Sequence, residues 1–307
     1  MTRRVLFLFV DGVGLGPDDP AANPFAAAHM PIVEALLGRR LTQAAGPVHG
    51  PRALLVPLDA TMGVAGLPQS ATGQTALLTG INTAQIVGRH VTAYPTAQLR
   101  ALLDEHNLFT KALALGRRVA LANAYTPEYF DAVKAGRLRH AAITYAAISA
   151  GVALRTVDDL RAGRALFHDL TNARPRSWGY DVPPVTPYDA GVNLAGLAMA
   201  HELTVFEFFL TDLAAHGRVS LDPRGVIESL DGLLGGVVAA ADLREMLVLL
   251  VSDHGNVEDA SRSGHTRNPV PAVLIGDGRE AVGAGLAAIT DVTPALCRWL
   301  AGAPVHG

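Results

Sequence analysis

The strongest constraint on the fold is a set of short, uninterrupted apolar runs that alternate with helical patterns. The runs are rich in β-forming side chains and occupy residues 5–10, 118–122, 204–210 and 246–252. A strand covered on both faces has such a continuous run instead of alternation. Between the runs, Asp222-Pro223 and Thr293-Pro294 each place a capping residue before a proline, which predicts helices over 223–241 and 294–301. The sequence therefore predicts an α/β fold, a mostly parallel sheet sandwiched by helices.

Composition narrows the classes of partner that the chain is expected to have. Of its 307 residues, 50% are hydrophobic, and 25 Lys and Arg face 28 Asp and Glu, a net charge of -3. This balance is not the basic footprint of a nucleic-acid-binding protein. The apolar runs are far shorter than the roughly 20 residues that span a bilayer. The single cysteine, Cys297, cannot form an internal disulfide, so we expect a cytoplasmic protein without a membrane or nucleic-acid partner.

One stretch interrupts the alternation of strands and helices. Residues 126–185 begin with a helical pattern, turn irregular, and hold eight basic and six acidic side chains, whereas the rest of the chain carries -5. An ordinary charged surface excursion would account for this composition equally well. We expect a core made of residues 1–125 and 186–307, with residues 126–185 inserted as a small cap.

Polar side chains cluster next to the predicted strands, where open α/β sheets bind their ligands. Each cluster alone is typical of a helix cap or a hydrogen-bonded structural residue. Their joint occurrence predicts a site for divalent metal, because carboxylate and imidazole are ligands that suit zinc or manganese. The candidate ligands are Asp11, Asp212, His216, Asp253, His254 and His265, the last of which precedes a short strand predicted at 272–275.

A candidate nucleophile lies in the glycine-bounded segment 66–80. Ser70 precedes a helix predicted at 71–78. The free N–H groups and positive dipole end of a helix N-terminus favour an alkoxide or a bound phosphate there. From this segment alone, a serine that merely caps the helix is the simpler interpretation.

Taken together, these motifs resemble those of the alkaline phosphatase superfamily of two-metal enzymes. The likeness is closest to the branch of cofactor-independent phosphoglycerate mutase and phosphopentomutase, and it covers about residues 4–90 and 200–300. The segments that carry it are Asp253-His254-Gly-Asn, His265-Thr-Arg-Asn-Pro-Val-Pro and Asp291-Val-Thr-Pro-Ala-Leu. The resemblance implies an alkaline-phosphatase-like fold and two divalent ions, zinc or manganese. It assigns one ion to Asp212, His216 and His265, and the other to Asp11, Asp253, His254 and the Ser70 oxygen.

The resemblance also ranks the hydroxyls of this segment. In the family the nucleophile stands ten residues before the glycine that ends its helix, and Ser70 keeps that spacing to Gly80, whereas Thr72 and Thr75 do not. The chain departs from the branch at Gln74, where a histidine usually follows the glycine. Sulfatase relatives need a modified cysteine here, and the segment has none.

The resemblance implies phosphoryl transfer, and we expect hydrolysis of a small phosphate ester through a phosphoserine on Ser70. Arg89 and Arg267 are the candidate phosphate-binding arginines, because a guanidinium matches phosphate oxygens bidentately. A phosphomutase is the nearest alternative, although the short cap favours hydrolysis. Phosphodiester or nucleotide pyrophosphate cleavage and a non-catalytic metal- or phosphate-binding module are further alternatives. A metallopeptidase lacks support, since no His-Glu-x-x-His motif is present.

Overall fold

The computed structural model describes residues 3–302 as strands and helices that alternate along the chain. The strands are β1 (Arg4–Val10), β2 (Val48–His49), β3 (Ala53–Leu58), β4 (Val119–Leu121), β5 (Ala124–Tyr125), β6 (Arg155–Thr156), β7 (Leu203–Phe208), β8 (Met246–Val251) and β9 (Val270–Gly276). The helices of the first half are α1 (Pro24–Ala27), α2 (Pro31–Leu37), α3 (Ser70–Thr79), α4 (Thr83–Val87), α5 (Ala97–His106), α6 (Leu108–Ala114), α7 (Pro127–Lys134) and α8 (Ala142–Ser149). Those of the second half are α9 (Val157–Arg161), α10 (Ala173–Ser177), α11 (Pro187–Met199), α12 (Leu210–Ala215), α13 (Pro223–Ala240), α14 (Arg279–Gly283) and α15 (Val292–Leu300), with a 3₁₀ turn at Ile289–Asp291.

The central sheet has the strand order β2-β3-β9-β8-β1-β7-β4. Strands β8, β1, β7 and β4 run parallel to one another, whereas β9 pairs antiparallel with both β8 and β3. Apolar side chains on the two faces of the sheet form two separate core clusters, each covered by helices. The prediction of a mostly parallel sheet sandwiched by helices is therefore confirmed.

The strongest sequence signals coincide with the most buried elements. In β8 every residue is buried, and in β1 every residue after Arg4 is buried, as expected for strands covered on both faces. Helix α13 begins as predicted, with the Asp222 side chain accepting a hydrogen bond from the Arg224 N–H and proline in the first turn. Helix α3 ends at Gly80, whose φ of 77° is left-handed, a conformation that glycine adopts without strain.

The short strand predicted at 272–275 is longer in the structure and runs antiparallel to its neighbours as β9. The connection from β8 turns back at the carboxyl edge of the sheet, so β9 starts at the edge where β8 ends. This direction places His265, which precedes β9, at the same edge as Asp253, which follows β8. A crossover connection would have placed His265 at the opposite edge.

The stretch between 126 and 185 packs in two ways. Helix α8 contacts α3 and α5 and contributes Ile143 and Ala146 to the main core. Four other buried side chains join Phe167 and Ala124 in a small separate cluster: Val157, Leu160, Ala165 and Val182. Leu166 and Leu170 instead belong to one of the two large core clusters. The division into a core and an inserted cap stays a prediction. Within residues 3–302, none of the helices combines the length and the apolar character needed to cross a bilayer.

Candidate metal centre

The loops that follow β1, β7 and β8 converge on the N-terminus of α3 and bring the predicted ligands together. The first loop depends on Gly12, whose φ of 68° is left-handed, and a Cβ there would lie 2.7 Å from Asp212 Oδ1. Only glycine fits this turn without displacing Asp212. The Thr211 hydroxyl donates to the Asp11 carbonyl at 2.5 Å and so fixes the start of α12 against the same loop.

One group of potential ligand atoms comes from Asp212, His216 and His265. Asp212 Oδ1 lies 3.5 Å from His216 Nε2 and 3.7 Å from His265 Nε2, and the two Nε2 atoms are 3.3 Å apart. His265 Nδ1 lies 2.7 Å from the Pro68 carbonyl, which fixes the ring and leaves Nε2 facing the group. The structure thus brings together the three side chains assigned to one ion by the family resemblance.

The second group forms around His254, whose ring is fully buried. His254 Nε2 lies 3.0 Å from Ser70 Oγ, 3.4 Å from Asp11 Oδ1 and 3.5 Å from Asp253 Oδ2. Asp11, Asp212 and His254 also offer ligand atoms within 4.8 Å of one another. Asp212 therefore adjoins both groups, which sequence spacing alone did not indicate.

Burial and like charges destabilise the ionised carboxylates of this centre. Burial, followed by the charges of Asp253 and Asp212, holds the pKa of Asp11 well above its usual value. Burial, followed by the charge of Asp212, does the same to the pKa of Asp253. Burial, then the neighbouring His265, holds the pKa of His254 well below its usual value. The protein atoms alone thus favour neutral imidazole, the form that ligates metal, and leave several acids without a counter-charge.

The donor set fits divalent cations. Asp11 Oδ1 and Asp253 Oδ2 are fully enclosed oxygens that have no hydrogen-bond partner among the described residues. Unpartnered buried carboxylate oxygens are costly unless a cation or a proton compensates them. Oxygen and imidazole nitrogen donors without thiolate match the preferences of zinc and manganese. The identity and the number of the ions stay predictions.

The Ser70 hydroxyl points in a different direction from the two competing hydroxyls, those of Thr72 and Thr75. Ser70 is the first residue of α3 and follows the N-cap residue Gln69, so its side chain does not cap the helix but lies beside His254. Thr72 instead donates to the Gln69 carbonyl and accepts from the Val91 N–H. The Thr75 hydroxyl donates to the carbonyl of Ala71 at 2.6 Å. Of these three hydroxyls, only that of Ser70 faces the ligand cluster.

Several side chains that sequence reasoning missed hold the cluster in place. Glu258 is fully buried and accepts hydrogen bonds from the backbone N–H groups of Gly14 and Asn256 and from the Thr266 hydroxyl. It thereby ties together the loop after β1, the loop after β8 and the segment before β9. The Asn256 amide donates to Asp212 Oδ1 at 2.7 Å. The only sequence signal for this role was an acidic residue in the polar loop after β8, and its burial is seen only in the structure.

Gln74 occupies the position where the related branch has histidine. Its amide nitrogen donates to Asp11 Oδ2 at 3.2 Å, while its amide oxygen is enclosed and has no partner among the described residues. A glycine precedes it because a Cβ at Gly73 would lie 2.8 Å from the Asp253 carbonyl oxygen. Gln74 therefore orients a candidate ligand.

The two candidate arginines lie outside the ligand cluster. Both side chains are exposed. Arg267 is held by a hydrogen bond from its Nε to the Gly66 carbonyl at 3.0 Å, which leaves the outer nitrogens of its guanidinium free to bind a ligand. Arg89 has no hydrogen bond or ion pair through its side chain to any residue between 3 and 302. The structure thus orients Arg267 more firmly than Arg89.

Comparisons with known proteins identify the family to which the chain belongs. The family model of the Metalloenzyme superfamily matches residues 3–300. The 2,3-bisphosphoglycerate-independent phosphoglycerate mutase of Syntrophotalea carbinolica is 30% identical over 102 residues, which are 31% of this chain and 20% of the mutase. The aligned part therefore spans about a fifth of that relative's length.

Two solved structures share the fold at low sequence identity. A protein from Pyrococcus horikoshii, PH0037, superposes with a TM-score of 0.59 and 13% identity over 98% of both chains. The alkaline phosphatase of Thermus thermophilus superposes with a TM-score of 0.56 and 15% identity over 96% of this chain and 90% of its own. Because the family model covers residues 3–300, the chain belongs to the metalloenzyme superfamily, the family of metal-dependent phosphatases and phosphomutases that its sequence motifs resemble.

Proposed function

We propose that the chain is a metal-dependent phosphoryl-transfer enzyme that hydrolyses a small phosphate ester through a phosphoserine on Ser70. The observation that carries the proposal is the position of Ser70 Oγ, 3.0 Å from His254 Nε2 at the first residue of α3. The fold does not need a hydroxyl at this position among buried acids and histidines. A nucleophile, in contrast, has to lie there.

Two divalent ions, zinc or manganese, are the proposed cofactors. Asp212, His216 and His265 would hold one, and Asp11, Asp253, His254 and the Ser70 oxygen would hold the other. The two unpartnered oxygens of Asp11 and Asp253 support this assignment. When bound, the ions would offset the charge of the acids and of the phosphoryl group and lower the pKa of the Ser70 hydroxyl.

The residues of the chain then provide positioning and charge. Ser70 Oγ forms a bond to phosphorus while the bond from phosphorus to the ester oxygen breaks and the alcohol leaves with a proton. Water then cleaves the phosphoserine, releases inorganic phosphate and restores the hydroxyl. The Ala71 and Thr72 N–H groups at the N-terminus of α3 already donate to the Val91 carbonyl, at 3.1 Å and 3.4 Å, so the helix would act on the phosphoryl group through its positive dipole end. Arg267 is the better-placed candidate to bind those oxygens, since its Nε contact fixes the guanidinium, and Arg89 is the second.

The experiment measures phosphate release and phosphoenzyme formation together. Metal-loaded enzyme is offered a panel of sugar phosphates, phosphoglycerates and nucleotides, and acid-quenched samples are analysed by mass spectrometry. Ser70→Ala should abolish the phosphoenzyme and phosphate release but keep most of the bound metal, because the other ligands remain. Thr72→Val is the matched control on the same helix and should still form the phosphoenzyme. Full activity of Ser70→Ala would overturn the assignment.

A phosphomutase is the second candidate, because the curated relatives are phosphoglycerate mutases. A mutase would return the phosphoryl group from Ser70 to another hydroxyl of the same substrate. The same panel separates the two reactions, since isomerisation leaves the amount of inorganic phosphate unchanged and hydrolysis raises it.

A further inference from the structure

Glu207 is a further buried acid near the candidate metal centre, and the proposed reaction does not use it. Glu207 is the next-to-last residue of β7 and pairs in register with Phe9 of β1. Its side chain therefore projects from the same sheet face as those of Phe9 and, two residues on, Asp11. This is the face against which α3 packs its core residues Ala76 and Leu77.

Neighbouring groups fix the backbone of Glu207 but leave its carboxyl group unpaired. The Asn123 side chain accepts from the Glu207 N–H and donates to the Glu207 carbonyl, both at 2.8 Å. Between residues 3 and 302, no donor hydrogen-bonds the Glu207 carboxyl oxygens. A buried polar group of this kind normally has a partner, so its partner is expected to come from outside the chain.

The Glu207 carboxyl group has access to the solvent side of the site. Glu207 is 5% exposed, similar to Asp11 at 8% and Asp212 at 7%. Its oxygens are not among the fully enclosed, unpartnered oxygens, which do include Asp11 Oδ1 and Asp253 Oδ2. The Glu207 carboxyl oxygens are therefore not sealed within the core, although the residue as a whole is buried.

Two tyrosines, Tyr125 and Tyr129, lie within range of the Glu207 charge. The charge of Glu207 is near enough to raise the pKa of Asp11 on one side and those of Tyr125 and Tyr129 on the other, in each case after the larger effect of burial. The Tyr125 and Tyr129 rings are 4.7 Å apart. Their hydroxyls are already engaged, by Thr144 and His140 respectively. The rings thus offer apolar surface near Glu207, and Glu207 offers a carboxyl group without a hydrogen-bond partner among the described residues.

We propose that the Glu207 carboxyl group hydrogen-bonds a hydroxyl on the alcohol part of the phosphate ester and so determines substrate specificity. This inference rests on the proposed function, since it assumes that the phosphoryl group binds at Ser70. An alcohol skeleton with C–H and O–H groups matches the combination of apolar tyrosine surface and one unpaired carboxyl group. A purely apolar alcohol would leave Glu207 buried without a partner, which costs affinity.

A hydroxyl fits this position better than an ammonium group. Burial raises the pKa of Glu207 to about 7, whereas a cation bound beside Asp11 would favour the ionised form, so both protonation states have to be considered. A hydroxyl can donate to the ionised form and accept from the protonated form, whereas an ammonium group can only donate. An ester with a hydroxylated alcohol is therefore the expected substrate class.

The test compares glycerol 1-phosphate with n-propyl phosphate, which have the same number of carbons but differ in hydroxyls. In the parent enzyme, kcat/KM should favour glycerol 1-phosphate. Glu207→Met should lower kcat/KM for glycerol 1-phosphate by about 10-fold to 100-fold, the usual range for one lost hydrogen bond to a carboxyl group, and at least 10-fold more than for n-propyl phosphate. Glu207→Gln should lose less, because an amide still pairs with a hydroxyl.

Glu202→Gln is the matched control. Glu202 lies just before the same strand, at the opposite edge of the sheet, where it pairs with Arg118, and its replacement should change kcat/KM for both esters by the same factor. Equal losses for both esters in Glu207→Met, or a selective loss for ethanolamine phosphate, would overturn the inference.

Binding to the Ser70→Ala chain separates this inference from the proposed function. Calorimetry with glycerol 1-phosphate and n-propyl phosphate should show weaker binding of glycerol 1-phosphate after Glu207→Met is added, whether or not the parent enzyme turns the esters over. Absence of phosphate release by the parent enzyme would overturn the proposed function. Binding of glycerol 1-phosphate that is independent of Glu207, or its absence in Ser70→Ala, would overturn the specificity assignment.

Discussion

Replacing Glu207 by glutamine tests the electrostatics of the site without removing a proposed metal ligand. Burial raises the pKa of Glu207 from 4.5 to about 7. Between pH 4.5 and about 7 the folded chain therefore keeps a proton that the unfolded chain releases. Because of this difference, the free energy of unfolding falls as the pH rises through that range. At ~1.36 kcal/mol per pKa unit, the free energy of unfolding is lowered by about 3 kcal/mol above pH 7. Below the pKa of Glu207 in the unfolded chain, this loss disappears.

Glutamine resembles the protonated carboxyl group in shape and does not ionise. The free energy of unfolding of Glu207→Gln minus that of the parent chain should therefore rise by about 2–3 kcal/mol between about pH 5 and pH 8. Urea unfolding followed by tryptophan fluorescence at several pH values measures this difference. EDTA is included, because cations bound beside Asp11 would themselves stabilise the Glu207 carboxylate.

Glu202→Gln again provides the control, because the pKa of Glu202 is shifted in the opposite direction to that of Glu207. A hydrogen bond from Arg118 lowers the pKa of Glu202 to about 2, so its carboxylate stabilises the fold above pH 4.5, and this contribution is lost as the pH falls toward about 2. Glu202→Gln should therefore be less stable than the parent by an amount that stays constant between about pH 5 and pH 8. A Glu207→Gln difference that is also constant, or that falls with pH, would refute the reasoning.

Two further substitutions test the metal group and the packing of α13 against α11. His216→Asn should lower the divalent-metal content measured by mass spectrometry by about one ion per chain, because one of three clustered donors is lost. The control is His29→Asn, which replaces an exposed histidine. An unchanged metal content in His216→Asn would contradict the assignment. Gly236→Ala should lower the free energy of unfolding by about 2–3 kcal/mol, because its Cβ would lie 1.9 Å from the Tyr188 carbonyl oxygen. Gly196→Ala, with open space around its Cβ, should instead be neutral or stabilising, and equal effects would contradict the packing argument.

The sequence by itself determined the elements and the residue types of the site. Continuous apolar runs identify β1 and β8, and capping residues before proline identify α13, because these signals depend on neighbours along the chain. Candidate ligands such as Asp11 and Asp253 follow from the rule that ligands bind at strand ends. The metalloenzyme superfamily could thus be inferred from the order of the motifs.

Only the tertiary structure decided which of these groups meet. The antiparallel direction of β9 brings His265 to the other ligands, and this direction depends on strand pairing, which is a non-local property. The choice of Ser70 over Thr72 depends on where each hydroxyl points at the N-terminus of α3. Glu207 belongs to an apolar run by sequence, and its role as a free carboxyl group appears only when β1, β7 and the tyrosines of the 124–129 region are packed together. Local periodicity fixes the elements, but burial and charge at a site depend on segments that are distant in the chain.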